Sequence, residues 1–203
     1  MSLSTRLREV VARRARSVPA LTSLWAKYRR QKYRNHIERF EREKTGDAGR
    51  LPIGVVYEAT MRCNLTCEFC YVGDLLNLEG EWRQEMPIDV LQRAFPPQDG
   101  LQVSLTGGEI FMRKDILDVM DMFRGKGYTC GYLTTNGTII NDERAEALAE
   151  LAAKGFLKHI SVSIDGPGEV HDLARGVKGT FERTSAGLTR LQAAAKRKGA
   201  PLR

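Results

Sequence analysis

The run Met61-Arg62-Cys63-Asn64-Leu65-Thr66-Cys67-Glu68-Phe69-Cys70-Tyr71 places three of the chain's four cysteines within eight residues, at C-x3-C-x2-C spacing. Three thiolates that close together are enough to hold one metal cluster and one short of filling it. A cubane 4Fe–4S cluster held by protein alone takes four cysteines. An iron left open binds and activates a substrate, whereas a closed metal site is structural. Three other readings compete for the same residues. Positions i, i+4 and i+7 also mark one face of a helix, so buried core cysteines would give this pattern. Zinc would want a fourth Cys or His nearby, and His36, His159 and His171 all lie far off in sequence. A disulfide framework suits a secreted chain, and the N-terminal residues do not read as a signal peptide. The spacer Asn64-Leu65-Thr66 and Glu68 are poor helix-core filling, which favours the open cluster. The fourth cysteine, Cys130, sits in an apolar stretch and reads as core filling.

Outward from this run, the chain alternates strand and helix from residue 53 onward. The apolar stretch from Ile53 to Ala59 leads into the cysteine loop, with a first strand expected over 55–60. Further strands are expected over 101–105, 128–134 and 159–164, and helices over 88–95, 114–124, 142–154 and 180–198. The helix over 142–154 carries Ala145, Leu148, Ala149, Leu151 and Ala152 at helical spacing, so these face inward. Ile116, Leu117, Val119 and Met120 do the same in the helix before it, and Leu188 and Leu191 in the last. Thr180 is the expected N-cap of that last helix. Strands separated by helices predict an α/β fold with a parallel sheet, and loops at the carboxyl ends of such strands build its site.

With Phe69 as the aromatic residue in C-x3-C-x-aromatic-C, the run resembles the cluster motif of the radical S-adenosylmethionine (SAM) enzymes. Thr106-Gly107-Gly108-Glu109, closing the second strand, is a second match. The resemblance implies that Cys63, Cys67 and Cys70 hold a 4Fe–4S cluster whose open iron binds SAM. It implies that Gly107 and Gly108 lie against the methionine end of SAM, and that Glu109 helps hold its amino group. Phe69 or Tyr71 would pack near the adenine. Ser161-Val162-Ser163-Ile164-Asp165-Gly166-Pro167, followed by His171-Asp172 and Arg175-Gly176, is similar to the branch that modifies peptides and matures other enzymes. There Ser163 and Arg175 would contact the ribose or carboxylate of SAM, and Asp165 would line the pocket mouth. The same residues also read as an ordinary turn at 165–168 and a surface pair of Asp172 with Arg175. Thr134-Thr135-Asn136-Gly137 is a softer match, and Ile110 stands where a proline is expected.

The resemblance covers residues 55–190 and implies a partial parallel (βα) barrel of the radical SAM type, with about four βα units and an N-terminal helical extension. The family's usual barrel has six units, so the chain reads as a fragment. The implied activity is reductive cleavage of SAM to a 5′-deoxyadenosyl radical that abstracts hydrogen from a substrate, with a peptide or protein as the first expectation. A small molecule or lipid precursor is the alternative, and a non-catalytic metal-binding interaction module is the alternative from another class. An electron donor such as flavodoxin or ferredoxin is the implied partner.

The net charge of +7 is uneven. Residues 1–50 carry fourteen Lys/Arg against five Asp/Glu, so the remainder is close to neutral. This basic segment reads as helices over 4–17 and 21–44, broken near Pro19 and followed by a linker at 45–50, with the core domain over 51–203. A basic helix contacts nucleic acid or an anionic membrane, but no repeating apolar face stands out here, which favours a solvated helix instead. No apolar stretch reaches the length of a membrane span, and reduced cysteines point to the cytoplasm.

Overall fold

A computed structural model describes residues 31, 54–80, 85–97 and 101–200. The chain divides into two compact units, residues 1–51 and 52–203. The helices and linker expected within residues 4–50 lie outside the described residues, Gln31 apart. Among the described residues, no helix is long and apolar enough to cross a membrane.

Four strands, β1 (Gly54–Glu58), β2 (Gln102–Thr106), β3 (Thr129–Thr135) and β4 (Ile160–Val162), form one sheet in the order β1-β2-β3-β4. Every pairing is parallel. Helices α1 (Ile88–Ala94), α2 (Ile116–Gly125) and α3 (Asp142–Ala153) occupy the successive crossovers, and α4 (Glu169–Arg175) and α5 (Thr180–Lys198) follow β4. Parallel neighbours need such crossovers, because the chain must return to the starting end of the sheet before each new strand.

Alternation along the strands assigns the two faces. Val103 and Leu105 of β2 are fully buried against Leu91, Val119, Met120, Phe123 and Leu148 from the helices. On the opposite face Val56 and Tyr132 stay 69% and 48% exposed. Among the described residues, the helices pack on the face that carries Val103 and Leu105. An irregularity in the β2–β3 register, where Val103 pairs with Cys130 but Ser104 with Tyr132, inserts Gly131 as an extra residue. It lets Cys130 and Leu133, three apart, both point into the core. Cys130 is wholly buried, and burial pushes its thiol up to about 12. At the amino-terminal end of the sheet Phe95, Phe123 and Tyr128 pack edge to face, with centroids 4.9–6.1 Å apart.

Four expectations are corrected. No helix is expected between residues 164 and 180, yet residues 169–175 form α4, which ends at the left-handed Gly176. Thr180 is not the N-cap of α5: it is buried and its hydroxyl donates to the Val177 carbonyl at 2.5 Å. The capping carboxylate comes from α4 instead. Asp172 accepts the Gly179 N–H at 2.6 Å and the Phe181 N–H at 2.8 Å. An acceptor from a neighbouring helix serves because the first N–H groups of any helix lack partners of their own. β4 is also shorter than the expected 159–164, and Leu188 is only half-buried.

The Phe181 and Gly179 N–H groups hold the Asp172 carboxyl below its ordinary range. A depressed folded value means that the ionised form stabilises the fold above the ordinary aspartate pKa of about 3.9, and that this stabilisation is lost as pH falls. Asp172→Asn should lower the thermal midpoint at pH 7, and the gap to wild type should narrow below about pH 4. A gap that is constant with pH would show that the charge contributes nothing.

Candidate cofactor site

All three half-buried cysteines sit in an irregular loop after β1, not on a helix. Such a loop has no ladder of its own, so its backbone groups must find partners elsewhere. Each spacer residue supplies an anchor. The Asn64 amide donates to Thr138 Oγ1 at 2.8 Å and accepts from the Asn136 amide at 2.9 Å. Leu65 is buried. The Thr66 N–H donates to the Arg175 carbonyl at 3.2 Å. On the far side Asn77 accepts the Cys63 N–H at 2.9 Å and donates to the Cys63 carbonyl at 2.7 Å. Asn77 adopts φ +57°, a left-handed conformation that asparagine tolerates better than most residues.

Gly107 and Gly108 bring the β2 loop onto this one. Gly108 N–H donates to the Thr60 carbonyl and Glu109 N–H to the Arg62 carbonyl, both at 2.8 Å. A Cβ at Gly107 would stand 2.4 Å from the Thr60 oxygen, and one at Gly108 would stand 2.3 Å from the Arg62 oxygen. The expected reason for these glycines was close approach to a ligand; the close approach seen is to the cysteine loop itself. Gly176 plays the same part on the opposite side, where a Cβ would lie 2.4 Å from Thr66 Oγ1.

Glu109 is wholly buried. One carboxylate oxygen accepts from Thr135 Oγ1 at 2.7 Å and the Phe111 N–H at 3.2 Å, and the other accepts the Asn136 N–H at 2.7 Å. Burial pushes this carboxyl up, while the three donors oppose the rise. Its placement ties the β2 and β3 loops together behind the cavity wall. Burial likewise pushes the Cys63 thiol up, and the neighbouring negative groups, Glu109 first, add to the shift.

An open cavity of about 260 Å³ lies at the carboxyl end of the sheet. Of the sequence-derived candidates, Cys63, Cys67, Cys70, Phe69, Tyr71, Gly107, Gly108, Ser163 and Arg175 line it. Thr134, Thr135 and Asn136 from the softer match line it as well. Glu109 and Asp165 are not on its wall. Asp165 instead pairs with Arg175, at 2.6 Å to Nε and 3.1 Å to Nη2. Arg175 Nη1 reaches Cys67 Sγ at 3.7 Å, and the guanidinium lies 5.4 Å from the Phe69 ring centroid. The surface pair of Asp172 with Arg175 does not form. Sequence reading missed Asn77, whose bracing role has no local signature. It also missed the Asn64–Asn136 contact, which spans 72 residues.

A parallel α/β sheet with three thiols, two close-packed glycines and an arginine gathered at the carboxyl ends of its strands defines a cofactor-binding enzyme domain. Residues 57–199 match the family model for the radical SAM superfamily, and the chain belongs to that superfamily. Among curated relatives, Fe-coproporphyrin III synthase of Methanosarcina barkeri is 34% identical over 166 residues, covering 80% of this chain and 38% of that protein. The sporulation killing factor maturation protein SkfB of Bacillus subtilis is 30% identical over 144 residues, covering 71% and 34%. The chain thus spans little more than a third of the length of these relatives. Streptococcus suis SuiB bound to S-adenosylmethionine superposes with a TM-score of 0.58 at 20% identity, covering 85% of this chain and 37% of SuiB. That likeness shows the fold.

Two outcomes test this arrangement. Cys67→Ala should abolish iron uptake on anaerobic reconstitution, whereas Cys130→Ala should leave iron content unchanged; equal losses would show the cysteines to be wrongly divided. Glu109→Gln puts an amide nitrogen where a donor already points, at a cost of about 1–3 kcal/mol for the unmet bond. It should lower the urea midpoint without changing the slope.

Proposed function

We propose that residues 51–203 carry the cluster- and SAM-binding machinery of a radical SAM enzyme acting on a peptide or protein, with residues 1–50 a separate basic helical extension. The observation that carries this reading is the cysteine loop, held from several sides with its three thiols on one cavity wall. The donor set fits an iron–sulfur cluster better than a single ion. Three thiols line the cavity, and no histidine or carboxylate among its lining residues supplies the fourth ligand that a structural zinc takes. A cluster spreads its ligands over several irons and places no such demand.

Cys63, Cys67 and Cys70 would hold a cluster that, when bound, would supply the electron for reductive cleavage of SAM and so the hydrogen-abstracting chemistry of the family. The chain's own residues bind, orient and shield. The backbone at Gly107 and Gly108, with Ser163 and Arg175, receives the polar end of SAM. Phe69 and Tyr71, 60% and 78% exposed at the cavity, supply apolar surface for its adenine. Glu109 acts from behind the wall by fixing the loops, and Asp165 by holding Arg175.

A peptide substrate is supported by the Ser-Ile-Asp-Gly-Pro segment and by the likeness to SuiB, which has also been solved with its precursor peptide SuiA. The relation to a coproporphyrin synthase favours a second reading, a tetrapyrrole-sized small molecule. Both need a low-potential donor of the flavodoxin or ferredoxin class and a reducing compartment such as the cytoplasm.

Electron paramagnetic resonance of the reduced, anaerobically reconstituted chain tests the reading. A 4Fe–4S signal that changes on adding SAM is expected. Zinc without sulfide in place of the cluster would overturn it in favour of a non-catalytic metal-binding module.

A further inference from the structure

We infer that Arg175, clamped by Asp165, sets the reduction potential of the metal group bound at Cys67, as a tuning residue distinct from any contact it makes to SAM. The inference rests on the cluster reading above. Arg175 is the last residue of α4, and its two ends do different things. Its carbonyl accepts the Thr66 N–H and so fixes the loop one residue before Cys67. Its guanidinium turns back over that loop, with Nη1 3.7 Å from Cys67 Sγ. The side chain is only 12% exposed, with the Phe69 ring beside it. Little water therefore screens the charge.

The orientation is enforced. The Asp165 carboxylate accepts from Nη2 at 3.1 Å and lies 2.6 Å from Nε without taking a hydrogen bond from it, an ion pair on one edge of the guanidinium that leaves Nη1 facing sulfur. A planar fork divides its donors in this way; a lysine ammonium would not. Asp165 is itself positioned, since its N–H donates to Nδ1 of the buried His171 at 3.2 Å. Cation and anion thus form a dipole whose positive end meets the Cys67 sulfur.

Adding one electron to the group raises the negative charge on its thiolate ligands. A donor N–H and a positive charge at Cys67 Sγ favour that reduced form, as hydrogen bonds to sulfur and local charge do in iron–sulfur centres generally. Removing the guanidinium therefore makes reduction harder. Removing the counter-charge at Asp165, while an asparagine oxygen still accepts from Nη2 and keeps the guanidinium in place, makes it easier.

The test is a redox titration of the reconstituted chain without SAM, which excludes any contribution from a SAM carboxylate. Iron and sulfide are counted first and the reduced fraction is read by electron paramagnetic resonance. At the wild-type midpoint, Arg175→Gln should show about a tenfold smaller ratio of reduced to oxidised centres, equivalent to about 59 mV for a one-electron couple. Asp165→Asn should shift the ratio the opposite way. Loaded variants that titrate with wild type, or both in one direction, would overturn the inference. If Arg175→Gln takes up no iron, Asp165→Asn decides alone, and an unchanged or lowered midpoint sinks the idea. Loss of the cluster in both variants would assign the pair to loop assembly and not to tuning. A wild-type chain that binds no iron and sulfide would instead remove the functional reading on which this one stands.

Discussion

An irregular loop that carries chemistry must be rigid without a hydrogen-bond ladder of its own, and the rest of this fold is arranged around that demand. The loop from Thr60 to Cys70 takes its partners from four separate places in the chain: Asn77, the Gly107-Gly108 segment, the Asn136–Thr138 segment and the end of α4. Each lies after a different strand or helix, and all arrive at one end of the sheet because every strand runs in the same direction. Parallel topology therefore does more than make a core. It delivers four independent segments to the same loop, so that a change in any one is felt at the thiols.

Beneath that end, the bracing is polar and well satisfied. Arg113 is almost wholly buried, and its guanidinium meets Asp115, the Tyr57 hydroxyl and the carbonyls of Ala59 and Met86. It thereby joins β1, the segment before α1 and the turn before α2. Arg62 does similar work one layer higher, holding Glu85 and the Met112 carbonyl. Leaving such buried donors unmet costs more than each bond gains, so these networks specify one loop arrangement more than they add stability.

The architecture was legible in the sequence because helix and strand periods are local. The alanine and leucine spacing in α3 names its buried face without reference to any other element. The cysteine spacing and the Gly-Gly-Glu segment were legible for the same reason. What the sequence hid depends on distance. Asp172 caps a helix other than its own, Glu109 faces a strand end 26 residues on, and Asn77 returns to Cys63 across 14. No composition or period marks such pairs. Helix α4 was hidden differently: seven residues after a Gly-Pro-Gly turn are too few to show a period.

Glu109 shows how the hidden pairs bear on the chemistry. A buried carboxylate near Cys63 is an unfavourable neighbour for its thiol, since a thiol is a better ligand once ionised. Burial first, and the Glu109 charge after it, push the Cys63 thiol up. The arrangement therefore suits a loop meant to receive a cation and not to titrate by itself, because a bound metal offsets the same repulsion and releases the proton. Arg175 on the other side of the loop offers the opposite sign, at Cys67. The two flanks of one short loop are thus electrically unlike, negative behind Cys63 and positive over Cys67, and any group bound between them is polarised along that axis.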